Sequence, residues 1–202
     1  MTKPCLLTCW HRTFTILNSV EDIRFCFHKP NPIAHAARHI KWNNSNFNCA
    51  ILNVGSPPRT GFGGLIRNSV GFYLQGFSGF LPPPSDILEA ELTAILHGLS
   101  VAQDMEITEL MCYSDSLLSI NLVNGNSSRY HVHAVLIQDI KDKLSELNCS
   151  LHHTLREGNQ CVDYFAKFGA SSDASLSLHT SPPDDLRPLL RNDAYGTLFM
   201  RL

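Results

Sequence analysis

Three carboxylates in this 202-residue chain, Glu91, Asp115 and Asp163, stand where a purely structural role suits them least. In the run from Ile87 to Leu99 the apolar residues Leu88, Leu92, Ile95 and Leu99 recur at helical spacing. Glu91 falls three after Leu88 and four before Ile95, on the core-facing stripe. A glutamate buried there calls for a basic or metal partner; the alternative is a place at the stripe's edge, reaching water. Asp115 ends the run Glu109–Ser114, which reads as a strand feeding a helix that starts near Leu117. Ligands of open α/β sheets collect at such strand ends, although an aspartate there also serves as a helix N-cap. Asp163 lies just inside a helix opened by Asn159, with Val162, Phe165, Ala166 and Gly169 as its apolar face. It can pair with Lys167 one turn on. Taken together, three hard oxygen donors on a helix, a strand end and a helix start suit Mg²⁺.

The elements that would position them follow from periodicity and punctuation. Residues 48–54 read as a first strand, and Gly61–Arg67 and Phe72–Phe77 as the next two, joined by a turn at Asn68–Gly71. The glycines of the second strand form no phosphate loop, because no Gly-Lys-Ser/Thr follows and no helix opens there; glycines between packed strands account for them. Leu81-Pro82-Pro83-Pro84 breaks the sheet and leads into the Glu91 helix, with Ser85 or Asp86 as its N-cap. Val135–Leu144 is amphipathic, with Leu136, Ile140 and Leu144 on one face. A strand over Cys149–Leu155 precedes the Asp163 helix. Three antiparallel strands followed by alternating helix and strand imply an α/β fold with a mixed five-stranded sheet and helices on its faces.

Composition narrows the setting. With 44% hydrophobic and 17% charged residues the chain can bury a substantial core. A formal charge of −2 provides no global attraction for nucleic acid, so any such surface is local. Cys5, Cys9, Cys26, Cys49, Cys112, Cys149 and Cys161 are odd in number and suggest a reducing, intracellular setting, nuclear or cytoplasmic. Cys5, Cys9, His11, Cys26 and His28 match no usual zinc-ligand spacing. No apolar run approaches the ~18 residues of a membrane span, and the N-terminus carries no apolar signal segment.

The order and spacing of Ala90-Glu91-Leu92-Thr93-Ala94, His97-Gly98-Leu99, Ser114-Asp115-Ser116 and the run His153–Lys167 closely resemble the motif series of the type 1 ribonuclease H family. The likeness is greatest to the plant branch related to the reverse-transcriptase regions of non-LTR retroelements. This resemblance implies the ribonuclease H-like fold and hydrolysis of the RNA strand of an RNA–DNA hybrid. It also implies two divalent ions, Mg²⁺ or Mn²⁺, clamped by four carboxylates. Glu91, Asp115 and Asp163 match the second, third and fourth of these, as catalytic residues and metal ligands. His153 matches the family histidine that assists proton transfer or product release. Arg156 and Asn159 match the loop that follows, and Arg156 is placed to meet a phosphate. Arg129, with His131 and His133, is a further candidate nucleic-acid contact. Recognition would be by hybrid shape rather than base sequence, by a monomer away from any membrane.

The first carboxylate is missing. Where the family has Leu-Asn-Val-Asp-Gly-Ser, this chain has Leu52-Asn53-Val54-Gly55-Ser56. A deletion there shifts the register, so that Asn53 and Val54 exchange faces unless a bulge absorbs it. Ion occupancy and hydrolysis are therefore expected to be impaired. The alternative is a catalytically silent nucleic-acid- or protein-binding module, or a retroelement remnant. The expected organisation is a poorly ordered extension over residues 1–44, the domain over 45–175 and a C-terminal extension over 176–202.

Overall fold

The computed structural model describes residues 38–42, 49–57, 61–125 and 130–201. The expectation for residues 1–37, the Cys5–His28 group and Arg129 lie outside the described residues. Residues His39–Arg201 form one compact unit. A small two-stranded sheet joins β1 (Arg38–Ile40) and β8 (Phe199–Arg201).

The main sheet is built on β2 (Ala50–Gly55), β3 (Gly61–Arg67) and β4 (Tyr73–Phe80), an antiparallel meander. The turn between β3 and β4 is closed by Asn68, whose Oδ1 accepts from the amides of Val70 and Phe72, and by Gly71 at φ +88°. β5 (Leu110–Ser114) and β6 (Ser150–His153) add in parallel beside β2. Both parallel connections run through helices: α1 (Ile87–Asp104) leads into β5, while α2 (Leu117–Asn124) and α3 (Ala134–Glu146) join β5 to β6. α4 (Gln160–Ala170) follows β6.

The sheet has six strands, in the order β6-β5-β2-β3-β4-β7, rather than five. The additional strand, β7 (Ser177–His179), comes from the stretch read as the C-terminal extension and pairs antiparallel with β4. Tyr73 Oη secures it by donating to the His179 carbonyl at 2.7 Å. A three-residue edge strand carries too short an alternation to be read from sequence.

Two layers cover the sheet. On one side Leu92, Ile95 and Leu99 of α1 pack with Ile120, Ile137 and Ile140 against Leu52, Val54, Phe62 and Ile66. On the other, Val162 and Phe165 of α4 pack with Leu65 and Leu186. α4 lies so close to β3 that a Cβ on Gly63 would stand 2.7 Å from the Phe165 backbone, which explains the glycines noted in the sequence. The last helix, α5 (Arg187–Ala194), joins this second layer through Leu189 and Leu190. Its Asp193 pairs with Arg67 of β3 at 2.7 Å, both side chains being almost fully buried. Cys161 Sγ donates to the same carboxylate at 3.2 Å, and Trp42 lies over the guanidinium at 4.5 Å. Among the described residues no helix is long and apolar enough to cross a membrane.

Candidate active site

The parallel pairing of β2 and β5 brings their C-terminal ends side by side, with Val54 opposite Ser114. β2 pairs without a bulge, with β3 through Gly55 and with β5 through Val54. The alternation holds: Leu52 and Val54 enter the α1 side, whereas Asn53 accepts from Trp42 Nε1 at 3.4 Å. Gly55 thus stands directly after Val54, and a Cβ built on it would meet Asp115 Oδ1 at 2.8 Å and Val162 Cγ1 at 3.1 Å.

The site's residues come from several elements. Asp115 follows β5; Ser116, not Asp115, is the N-cap of α2, its hydroxyl accepting from the Ser119 amide. Asp115 is therefore not required as a cap. Asn159, 4% exposed, donates its amide to the Val54 carbonyl at 3.1 Å and to Asp115 Oδ1 at 3.5 Å, tying the two strand ends together. Its burial gives it a positioning part between strands. Asp163 lies in the first turn of α4 and is held by Arg156 at 3.0 Å through Oδ1 and by Lys167 at 2.6 Å through Oδ2. His153 is exposed at the end of β6, opposite Ser114. Arg156, from the 3-10 turn after β6, is the cation brought against the carboxylates.

Glu91 is 8% exposed on the buried stripe of α1, as its spacing predicts, and makes no ion pair among the described residues. Its Oε2 and the neighbouring Ser56 Oγ are both buried with no hydrogen-bond partner among the described residues. Burial pushes the Glu91 carboxyl up to about 8, the charge of Asp115 adds to the rise, and Ser56 opposes it. The buried setting thus favours the neutral acid. Burial also raises the Asp115 carboxyl, against the opposing pull of Arg156 and Asn159. Burial would raise Asp163 too, but Lys167 and Arg156 outweigh it and hold it below the usual carboxylate range.

The raised Glu91 carboxyl has a measurable consequence. A buried acid whose folded pKa exceeds its unfolded value contributes stability that is fully present below about 4.5 and lost as pH rises through about 8. Glu91→Gln keeps the shape and stays neutral. In denaturant titrations the variant is expected to match the wild type near the acid end of this window and to become the more stable above it. Parallel curves for the two proteins across the window would show that Glu91 ionises freely in the fold.

The donor set does not fit a two-ion centre as folded. Gly55 brings no oxygen ligand, both oxygens of Asp163 are engaged by protein cations, and among the described residues no three His, Cys, Asp or Glu side chains converge as an ion cage. A cavity of about 460 Å³ flanks Asp163, lined by Arg156, Gln160, Tyr164, Lys167 and Leu189 among others. A pocket of about 10 Å³, the volume of one water, lies between Gly55, Asp115, Asn159 and Asp163.

Sequence reading placed Glu91, Asp115, Asp163 and Arg156 in one site, and the fold brings these four together. It did not single out Ser56 or Gly55 as wall residues. The glycine's meaning emerges only from the direction its missing side chain would take.

The reverse transcriptase-like family matches residues 46–169. An Arabidopsis thaliana protein whose name places it with ribonuclease H proteins is 25% identical over 147 residues; the match spans 71% of this chain and 23% of that protein. Among solved structures, a ribonuclease H1 isolated from compost by a metagenomic approach superposes with a TM-score of 0.55 at 19% identity, covering 62% of this chain and 97% of that one. A second structure of that enzyme, in complex with an RNA/DNA hybrid, gives 0.55 at 17% identity over 60% of this chain and 96% of that one.

Proposed function

Because this chain belongs to the reverse transcriptase-like family of ribonuclease H-like domains, we propose that it engages RNA–DNA hybrids and that its hydrolysis of the RNA strand is impaired. The observation that carries this reading is that Asp115, at the C-terminal end of β5, feels the charges of both Glu91 and Asp163, with Gly55 beside it where the resemblance expects a fourth carboxylate. Mg²⁺ or Mn²⁺ is the ion such a site would call on, to activate water and steady the leaving oxygen. The residues present fit that demand poorly, so the weight of the reading falls on binding.

The hybrid presents an A-like backbone and the 2′-hydroxyls of one strand, chemistry that a groove of polar and cationic side chains recognises without reading bases. Arg156 and Arg129 are the proposed phosphate contacts. His153, exposed at the end of β6 and opposite Ser114, is proposed to meet the departing strand. Asn159 acts from beneath by holding Asp115.

The test is fluorescence anisotropy with a labelled RNA–DNA hybrid, a DNA duplex and an RNA duplex of one sequence, together with cleavage of the labelled RNA strand in Mg²⁺ and Mn²⁺. A preference for the hybrid with little cleavage is expected. Equal affinity for all three duplexes would sink the hybrid reading, and efficient cleavage by the unaltered chain would sink the claim of impairment.

A further inference from the structure

We propose that the carboxylate cluster is neutralised by the protein's own cations. Arg156 and Lys167 occupy both oxygens of Asp163, so that divalent ions bind weakly and only by displacing Arg156. The inference rests on the preceding reading for the identity of the site, but not on whether the hybrid binds.

The geometry carries it. Arg156 reaches Oδ1 at 3.0 Å and Lys167 reaches Oδ2 at 2.6 Å, so neither oxygen of this carboxylate faces the cluster unpartnered. Lys167 is fixed by helical spacing, one turn beyond Asp163 on α4. Arg156 opens a tight 3-10 turn whose amides close on themselves, Gly158 N to Leu155 O and Asn159 N to Arg156 O, each at 2.9 Å. That turn runs directly into α4, so the guanidinium and the carboxylate it grips belong to one short, hydrogen-bonded stretch. The charge of Arg156 is felt by Asp115 and Glu91 as well as Asp163.

The charge count links this arrangement to Gly55. With Glu91 neutral, Arg156 and Lys167 balance Asp115 and Asp163; with Glu91 ionised the formal charge is −1. A fourth carboxylate at position 55 would add one negative charge in either case, and with it a demand for a divalent ion. Loss of the first aspartate and engagement of the fourth by Arg156 and Lys167 act in the same direction.

The experiment is calorimetric titration of Mn²⁺ and Mg²⁺ into the full chain without nucleic acid, with thermal unfolding in chelator and in each ion as a second readout. The wild type is expected to bind in the millimolar range or weaker and to show little ion-induced rise in Tm. Removing Arg156 frees the competent state. Arg156→Ala should therefore tighten Mn²⁺ roughly tenfold and make Tm ion-dependent. Arg156→Gln, which keeps much of the side-chain length without the charge, should do the same and guards against a folding defect in the alanine variant. Tightening in either folded variant supports the inference whether or not the hybrid binds. Sub-millimolar binding by the wild type, or an affinity that neither variant changes, overturns it even where hybrid binding is seen.

Discussion

Asp193→Ala is expected to cost about 3–5 kcal/mol of folding stability, the largest single-residue effect in the chain outside its apolar core. The substitution leaves the Arg67 guanidinium in place with its side chain 2% exposed and its partner gone, and its Nε is already without a hydrogen bond. Trp42 over the guanidinium face cannot replace a carboxylate in the plane of the fork. The cost is that of an uncompensated buried charge and not the worth of the pair. The double variant Arg67→Met/Asp193→Leu should therefore recover most of the loss. Urea denaturation of the two single variants and the double variant checks this. If Asp193→Ala unfolds at the wild-type denaturant concentration, the pair is not buried in solution and α5 is not docked on the sheet. The stretch that reads in sequence as a tail would otherwise prove part of the fold.

Gly55→Asp is expected to confer ion-dependent cleavage of the RNA strand, on the order of 10²-fold above the wild type in Mg²⁺ or Mn²⁺. The position is chosen by register. β2 pairs regularly through Gly55, and a side chain there points at Asp115 Oδ1. The Cβ would approach that oxygen to 2.8 Å, so the Asp115 carboxylate must swing by a few tenths of an ångström, which a side-chain end does readily. Without ions the variant should be less stable than the wild type, since a second carboxylate joins one whose ionisation burial already resists. Adding the ion should reverse that difference. Inserting an aspartate between Val54 and Gly55 is the inferior repair, because it displaces Gly55 from its pairing with Gly63 and turns the next side chains to the wrong face. A folded Gly55→Asp protein with no gain in cleavage would show that the absent first carboxylate is not what limits hydrolysis.

Much of this was legible in the chain itself. Helical periodicity put Glu91 on the buried stripe of α1, and the buried face of α4 is the one read from Val162, Phe165, Ala166 and Gly169. Lys167 pairs with Asp163 because a helix places residues four apart on one face, a relation that needs no tertiary contact. The motif series grouped Glu91, Asp115 and Asp163, which the fold sets as electrostatic neighbours, since spacing along the chain records which residues the strands and helices carry to the sheet's end. Other features were decided only by tertiary structure. Arg67 and Asp193 are 126 positions apart, and neither neighbourhood announces that burial will force them together. How strongly burial resists the charge of Glu91 depended on how much water the packed sheet leaves beside it, which is a property of the volume around a residue. What stands beside Asp115 at the end of β2 also lay beyond the sequence. A shift of one residue turns every following side chain to the other face, and hydrogen-bonded neighbours on both sides of β2 fixed which face each of its residues takes.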